Sequence, residues 1–510
     1  MLFNSFIFIF CFLPLTLGAY FFIGNFAGCR AAFALIVLSS IVFYAWWSPS
    51  FLLILAPSVV ANALIGRWLI EGSGSPHSRR LVFLFGICAN VALLGYFKYA
   101  NFFIDNINSA FSTSYNIGNV ILPLGISFFT FQKIAFLVDA YRGEVKQFNF
   151  LNYVFFVSFF PQLIAGPIVH HKEIIPQLAL PNIARPQALN IAIGFSIFSI
   201  GLFKKAVLAD SIGTFADPVF AAAAAGHTVS FVDGWLAALA YTFQLYFDFS
   251  GYSDMAIGLA RMFNIVLPLN FHSPYKAASV IDFWQRWHIT LSRFLRDYIY
   301  IPLGGNRRTN FRRYCNLLAT MLIGGLWHGA GWNFILWGAL HGVFLAINHA
   351  WRTLRGKLDL PLGGGGALGY LVSWALTFFS VVNAWVLFRA PSMQSATSIF
   401  KAMYVVDKAT IVNSIFDYFR VQHLLLTSSN FIDSSFLWLL AAALVGFAAP
   451  DVYDLFRPHS PALVERDFPM SRRRPLYWTL SLSWAIVIAL LFFSAVLQLG
   501  KLSPFLYYQF

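Results

Sequence analysis

Charge is scarce in this chain. Only 11% of its 510 residues are Asp, Glu, Lys or Arg, against about 25% in an ordinary soluble domain. So few polar side chains cannot cover a water-soluble surface. A multidomain soluble enzyme is therefore excluded, and a disordered or fibrous chain with it. Cysteine is scarce as well. Cys11, Cys29, Cys88 and Cys315 sit in or beside apolar stretches and form no CxxC pair, which argues against a zinc site or a disulfide framework. The short alternating segments of a membrane β-barrel are also missing.

What is abundant is hydrocarbon. The chain is 59% hydrophobic and 18% aromatic, with 58 Phe, and its mean hydropathy is +0.69. The apolar runs are long and continuous, which is the pattern of spanning helices. A net charge of +14 would raise nucleic acid as a partner of a soluble protein. In a membrane protein the same excess follows from the positive-inside rule and anionic lipid, so the expected partner is the bilayer and not nucleic acid.

Apolar runs lie near 5–24, 31–48, 51–70, 81–100, 119–139, 151–169, 188–208, 235–260, 314–349, 367–389, 433–450 and 476–499. Each approaches or exceeds the length that crosses a hydrocarbon core of about 30 Å. The first lacks a basic leader and a small-x-small cleavage site, so it reads as a retained span. The 314–349 run is too long for one span and is expected to divide in two. Basic clusters at Arg79/Arg80, Arg142/Lys146, Arg307–Arg313, Arg352–Lys357 and Arg472–Arg474 mark cytoplasmic loops and place the N-terminus outside. Loops 142–148 and 170–187 then both fall on the cytoplasmic side with one apolar run between them. Segment 151–169 is therefore expected to be re-entrant, broken at Pro161, Gly166 and Pro167. Non-helical backbone at that depth must be surrounded by protein or line a cavity.

The expected fold is an all-α polytopic membrane protein of about 10–12 transmembrane helices, with re-entrant or broken segments around a central cavity. No inverted repeat is evident, and one integral domain, residues 1–510, is the simplest organisation. The Gly363–Gly366 run is the only low-complexity stretch.

Three segments place polar residues within or beside apolar runs. In Phe247-Asp-Phe-Ser-Gly-Tyr-Ser-Asp254, two carboxylates occupy a span, which is costly and suggests function by default. Asp248 and Asp254 share a helix face only if Gly251 breaks the helix. The plainer reading is that each is paired and orders the bundle. In Phe283-Trp-Gln-Arg-Trp-His-Ile-Thr-Leu-Ser-Arg-Phe-Leu-Arg-Asp297, a helix puts His288 with Trp284, Leu291, Leu295 and Ile299. Arg286, Thr290, Arg293 and Asp297 then face the other way. That describes an interfacial amphipathic helix, with His288 either a satisfied core residue or a proton handler. In Gly324-Gly-Leu-Trp-His-Gly-Ala-Gly-Trp-Asn333, four glycines surround His328, and Trp337, Gly338, His341 and Gly342 follow. Gly325/Gly329 and Gly338/Gly342 read as helix-packing pairs. Packing does not explain an imidazole inside an apolar run. Two Trp-flanked histidines suit the deprotonation of a hydroxyl away from water.

These segments contain no HExxH, no nucleophile elbow, no Walker loop and no dinucleotide-binding fingerprint. His170-His171 reads as a surface pair and not as a metal site. Ser250, Ser253 and Cys315 could carry an acyl group, but nothing marks any of them as activated.

With these pieces taken in order, the chain resembles the membrane-bound O-acyltransferase (MBOAT) superfamily. Within it, the chain is similar to the bacterial branch that holds the membrane component of alginate O-acetylation. The matching pieces are Leu122-Pro-Leu-Gly-Ile-Ser-Phe-Phe-Thr-Phe-Gln132, Phe160-Pro-Gln-Leu-Ile-Ala-Gly-Pro167, Phe247–Asp254, Asn270-Phe271, Pro274-Tyr275, Trp284–Ser292, Tyr298-Ile-Tyr-Ile-Pro-Leu-Gly-Gly305 and Gly325-Leu-Trp-His-Gly329.

The resemblance implies a bacterial inner-membrane O-acetyltransferase with its catalytic core over about 119–350. It implies His328 as the catalytic base and His288 as a second functional histidine. It also implies acetyl-CoA as a donor substrate and no bound cofactor or metal. An exported polysaccharide would be the acceptor, with a periplasmic acetyltransferase of the SGNH or alginate-acetylation type as partner. Trp327, Asn333, Trp284, Trp287, Asp248 and Asp254 are the candidates for the cavity and substrate contacts. Arg307 and Arg308 are the candidates for the donor phosphates, with lipid anchoring as their plainer role. Peptidoglycan O-acetylation and teichoic-acid D-alanyl transfer are the neighbouring readings. A transporter or flippase is the reading from another class, and it predicts repeat symmetry and an acid relay that the sequence does not show.

Overall fold

The computed structural model describes residues 1–118, 120–307, 309–358, 366–405, 435–466, 468, 476–500 and 505–506. Its helices, in chain order, are α1 (Phe8–Phe26), α2 (Cys29–Ala45), α3 (Leu52–Glu71), α4 (Pro76–Phe111), α5 (Ile126–Tyr141), α6 (Phe150–Ser158), α7 (Ala188–Ala224) and α8 (Phe231–Met262). They continue with α9 (Val280–Trp284), α10 (Ile289–Leu295), α11 (Asn310–His328), α12 (Trp332–Lys357), α13 (Gly366–Arg389), α14 (Met393–Tyr404), α15 (Ser435–Ala448) and α16 (Leu482–Gln498). Among the described residues there is no strand, only an isolated bridge between Pro268 and Leu463. The all-α, multi-spanning reading holds.

Six of these helices, α1, α3, α4, α7, α12 and α13, are long and apolar enough to cross a membrane. A seventh forms if Phe436–Ala448 and Val452–His459, bent by 48°, count as one broken span. Other apolar runs give helices that are shorter or less apolar; α8 is long, at 32 residues, but carries Asp233, Asp248, Asp254 and Arg261. Segments α2 and α16 stop at 17 residues each. Leu15, Leu53, Leu368 and Leu497 stand exposed on α1, α3, α13 and α16, as expected where the surroundings are hydrocarbon.

Two expected breaks are present. The 314–349 run divides at Gly329–Gly331 into α11 and α12. The 151–169 run ends its first helix at Ser158 and resumes for only Phe160–Leu163. It then runs without regular structure through Gly166 and Pro167 to His170. Residues 155–171 are buried throughout, so this irregular backbone is enclosed by protein, as its polar groups require. Helix α8 runs unbroken from Phe231 to Met262 through Gly251, so the condition under which Asp248 and Asp254 would share a face is not met.

The described chain falls into two compact units. The first comprises Met1–Leu202, Tyr252–Asn270 and Val452–Gln509; the second comprises Phe203–Gly251 and Phe271–Asp451. In the first, α2 packs on α1 and α6, and α5 packs on α3 and α4. A phenylalanine core binds them, with Phe43 5.8 Å from Phe8 and 5.5 Å from Phe160, and Phe160 5.7 Å from Phe263 by ring centroid. His170 and His171 belong to this unit and are buried, which corrects the surface reading. His171 Nδ1 lies 3.2 Å from Asp139 Oδ2, and a carboxylate is the partner that makes a buried imidazole tolerable.

In the second unit, α11 and α12 form a tight antiparallel hairpin, and α13 packs against α12. The glycines make this hairpin possible. A Cβ on Gly325 would overlap the Phe334 carbonyl oxygen and lie 3.1 Å from the Gly338 Cα. A Cβ on Gly342 would sit 3.1 Å from the Leu318 Cα. The two helices therefore meet backbone to backbone, as the GxxxG spacing predicts.

Candidate active site

His328 is the last residue of α11. After it, Gly329 and Gly331 are extended and the chain reverses into α12. Asn333, in the first turn of α12, donates from Nδ2 to the Ala390 carbonyl at 2.5 Å, tying the start of α12 to the end of α13. This engages the Asn333 amide in holding the frame.

His288 arrives from a different segment. The expected continuous helix over 283–297 is not formed. Helix α9 ends at Trp284, α10 begins at Ile289, and His288 between them has φ 44° and ψ 53°. A non-glycine residue in the left-handed region persists only where its surroundings fix it. Here Trp287 N donates to Phe283 O at 2.8 Å and Ser292 N to His288 O at 3.0 Å. Beside them, Arg286 pairs with Asp282 at 2.8 Å and its backbone carbonyl accepts from His272 N at 3.0 Å. The break also corrects the solvent-facing assignment, because Thr290 and Arg293 are buried. The strain should be measurable. Left-handed backbone costs a bulky residue about 1–3 kcal/mol, and Asn tolerates it best among non-glycine residues. His288→Asn is expected to melt several degrees above His288→Val in detergent, read by size-exclusion thermal melts. Equal melting would show that this conformation carries no cost.

The break brings the two histidines together. The His288 and His328 ring centroids lie 6.4 Å apart, although 40 residues separate them in the chain. Both are buried. Trp327 joins them, 5.9 Å from His288 and 4.9 Å from His328. Phe249 stands edge-on to His288 at 4.8 Å. Trp337 and Phe388 meet His328 at 5.0 and 5.1 Å.

Trp284 and Trp287 extend the same aromatic cluster. Trp284 lies 5.8 Å from Trp337 and 5.2 Å from His341, and Trp287 lies 4.9 Å from Trp385. Trp337, His341, Trp385 and Phe388 were not singled out from sequence as site residues. His341 carried the signal that flagged the other two, an imidazole near a tryptophan in an apolar run. Only the matching motif stopped short of it.

Asp248 is buried in an ion pair. Lys205 Nζ lies 2.7 Å from Asp248 Oδ1 and 2.7 Å from Asp210 Oδ1, in keeping with the plainer reading of that carboxylate. Asp254 is buried further along α8, in the first unit. Arg307 is exposed; Arg308 lies outside the described residues, as do Gly363–Gly365 and Arg472–Arg474. No group of three or more His, Cys, Asp or Glu gathers to hold a metal among the described residues.

Buried imidazoles enclosed by tryptophans in a multi-spanning protein are groups able to exchange a proton away from bulk water. The family model for MBOAT, the membrane-bound O-acyltransferase family, matches residues 83–361, more than half of the chain, and the chain belongs to that family. A peptidoglycan O-acetyltransferase of Helicobacter pylori is 44% identical over 429 residues, covering 79% of this chain and 80% of the relative. A probable alginate O-acetylase AlgI of Pseudomonas putida is 38% identical over 521 residues, covering all of both chains. A teichoic acid D-alanyltransferase of Streptococcus thermophilus is 32% identical over 246 residues, covering 46% of this chain and 59% of the relative. The protein is an acyltransferase and a multi-pass protein of the bacterial inner membrane.

Proposed function

We propose that the protein O-acetylates an exported, alginate-like polysaccharide, drawing acetyl from a cytosolic thioester, acetyl-CoA, with His328 as general base. The observation that carries this reading is the approach of His288 and His328 to 6.4 Å inside a buried tryptophan cluster. The chemistry asks for little else. His328 takes the proton of the attacking hydroxyl, the new C–O bond forms as the C–S bond breaks, and the imidazolium returns the proton to the departing thiolate. Trp327, Trp284 and Trp287 wall the site and exclude water. His288 stands beside the reacting groups as the second functional histidine. The Arg307–Arg308 pair of the basic loop attracts the phosphates of the donor. A periplasmic acetyltransferase supplies that attacking hydroxyl, carries the acetyl group as an ester, and passes it on to a hydroxyl of the polymer.

Full-length similarity to the alginate O-acetylases supports the alginate-like acceptor. The 44% identity to a peptidoglycan O-acetyltransferase favours peptidoglycan as the second reading. The two separate in one experiment: acetyl content is measured polymer by polymer in a deletion strain and in the same strain carrying the wild-type gene. One polymer is expected to lose its O-acetyl groups in the deletion and regain them on complementation. If every polymer keeps its acetyl groups in the deletion strain, polysaccharide acetylation fails as the function.

A further inference from the structure

Two buried nitrogen donors one turn apart on α12, the first of them on a ring against His328, have no acceptor among the described residues. Trp337 is 1% exposed and His341 is 0%, and neither Trp337 Nε1 nor His341 Nε2 has a hydrogen-bond partner among the described residues. Buried polar side-chain atoms are nearly always hydrogen-bonded, so each exception calls for an explanation. An indole N–H can only donate. The tautomer of His341 follows from its neighbour. Trp284 Nε1 donates to His341 Nδ1 at 3.3 Å, so Nδ1 is an acceptor and the neutral imidazole carries its proton on Nε2. Both orphaned groups are therefore N–H donors, and what they lack is an acceptor oxygen.

Their placement says which oxygen. Trp337 and His341 lie one turn apart on α12 and so share a face. The Trp337 ring is 5.0 Å from His328 and 4.8 Å from His341. The ring contacts of Trp337 and His341 account for their packing but not for the two N–H groups. Asn333, the other amide donor of this helix, is engaged with Ala390.

We propose that Trp337 Nε1–H and His341 Nε2–H hold the carbonyl oxygen of the acyl group during transfer, acting as the oxyanion donors of the site. This rests on the acyl-transfer reading above. The acceptor hydroxyl oxygen bonds to the carbonyl carbon, its proton passes to His328, and the carbonyl π pair moves onto the oxygen between the two donors. That pair then reforms the C=O bond. The C–S bond breaks, and the thiolate takes the proton back from His328. Trp284 is a positioning residue in this scheme, because its hydrogen bond fixes the tautomer that makes His341 a donor.

The test uses inverted membrane vesicles from the deletion strain carrying each full-length variant at matched level, supplied with radiolabelled acetyl-CoA. Initial rates of polymer labelling give kcat and KM. Trp337→Phe and His341→Phe are each expected to lower kcat by about 10²-fold or more, the usual effect of losing one oxyanion donor, with KM within about threefold of wild type. His341→Gln, which restores an N–H at the Nε2 position, is expected to recover about tenfold over His341→Phe. Phenylalanine variants with kcat within about threefold of wild type, or a loss confined to KM, would overturn the inference. So would a glutamine variant no better than phenylalanine. The His341 pair decides the matter alone if Trp337→Phe does not accumulate. The vesicles are loaded with the periplasmic fraction and the exported polymer of the wild-type strain; if wild-type vesicles so loaded transfer no label from acetyl-CoA to any hydroxyl acceptor, the acyl-transfer reading itself fails and this inference with it. If wild type labels, His328→Ala does not, and the phenylalanine variants do, only the oxyanion assignment falls.

Discussion

His328→Ala is expected to lower acetylation of the acceptor polymer by about 10²–10⁴-fold, the range that a positioned general base supplies. The protein should still reach the membrane. His328 ends a helix whose packing is carried by Gly325, Gly338 and Gly342 and not by the imidazole. The ring does touch Trp327, Trp337 and Phe388 within 5.1 Å, so alanine leaves a gap. His328→Phe keeps the aromatic packing and removes only the base. Both variants are expected to be inactive, with the phenylalanine variant nearer wild type in thermal melting. Polymer-bound acetyl, normalised to membrane level, is the measurement. If His328→Phe retains activity within about threefold of wild type, His328 is not the base, and His288 becomes the residue to test.

How the two histidines meet was only half legible in the chain. The break after His328 could be read because it is written in glycine. Gly329 and Gly331 interrupt a run too long for one span, and the spacing of Gly325 and Gly338 allows backbone contact. The break at His288 could not be read. Helical periodicity across 283–297 is good, and the left-handed histidine goes with a non-local bond, His272 N donating to the Arg286 carbonyl, that local preference does not show. The consequence is large, since a continuous helix would have put Thr290 and Arg293 on a wet face, and both are buried. At Gly251 the sequence left the break open, and the structure has none. One glycine in a helix costs only about 1 kcal/mol, and α8 absorbs it. Trp337 and His341 stayed below notice because the resemblance ended at Gly329 and a lone histidine among apolar residues is ambiguous by itself. The hydrogen bond from Trp284 to His341 Nδ1 is visible only in the structure.

The buried charges around Lys205 carry the other large effect. Lys205 is 1% exposed, and its ammonium lies between Asp210 and Asp248 at 2.7 Å from each. Removing one partner of a buried ion pair strands the other, at about 3–5 kcal/mol. Lys205→Met is therefore expected to lower the melting temperature sharply and to cut membrane accumulation, because two carboxylates are left without their shared cation. Removing both sides of the deep pair should cost far less, since isosteric apolar pairs often replace buried salt bridges with little penalty. The double variant Lys205→Met with Asp248→Leu is expected to recover most of the lost stability, and the non-additivity in the double-mutant cycle measures the coupling. The same variant separates structure from chemistry. If it is stable and acetylates its polymer at close to the wild-type rate, Asp248 serves to order the bundle, the reading its pairing favours. If it is stable and inactive, the Lys205–Asp248 pair does more than order the bundle, and the reading of Asp248 as a purely structural carboxylate falls.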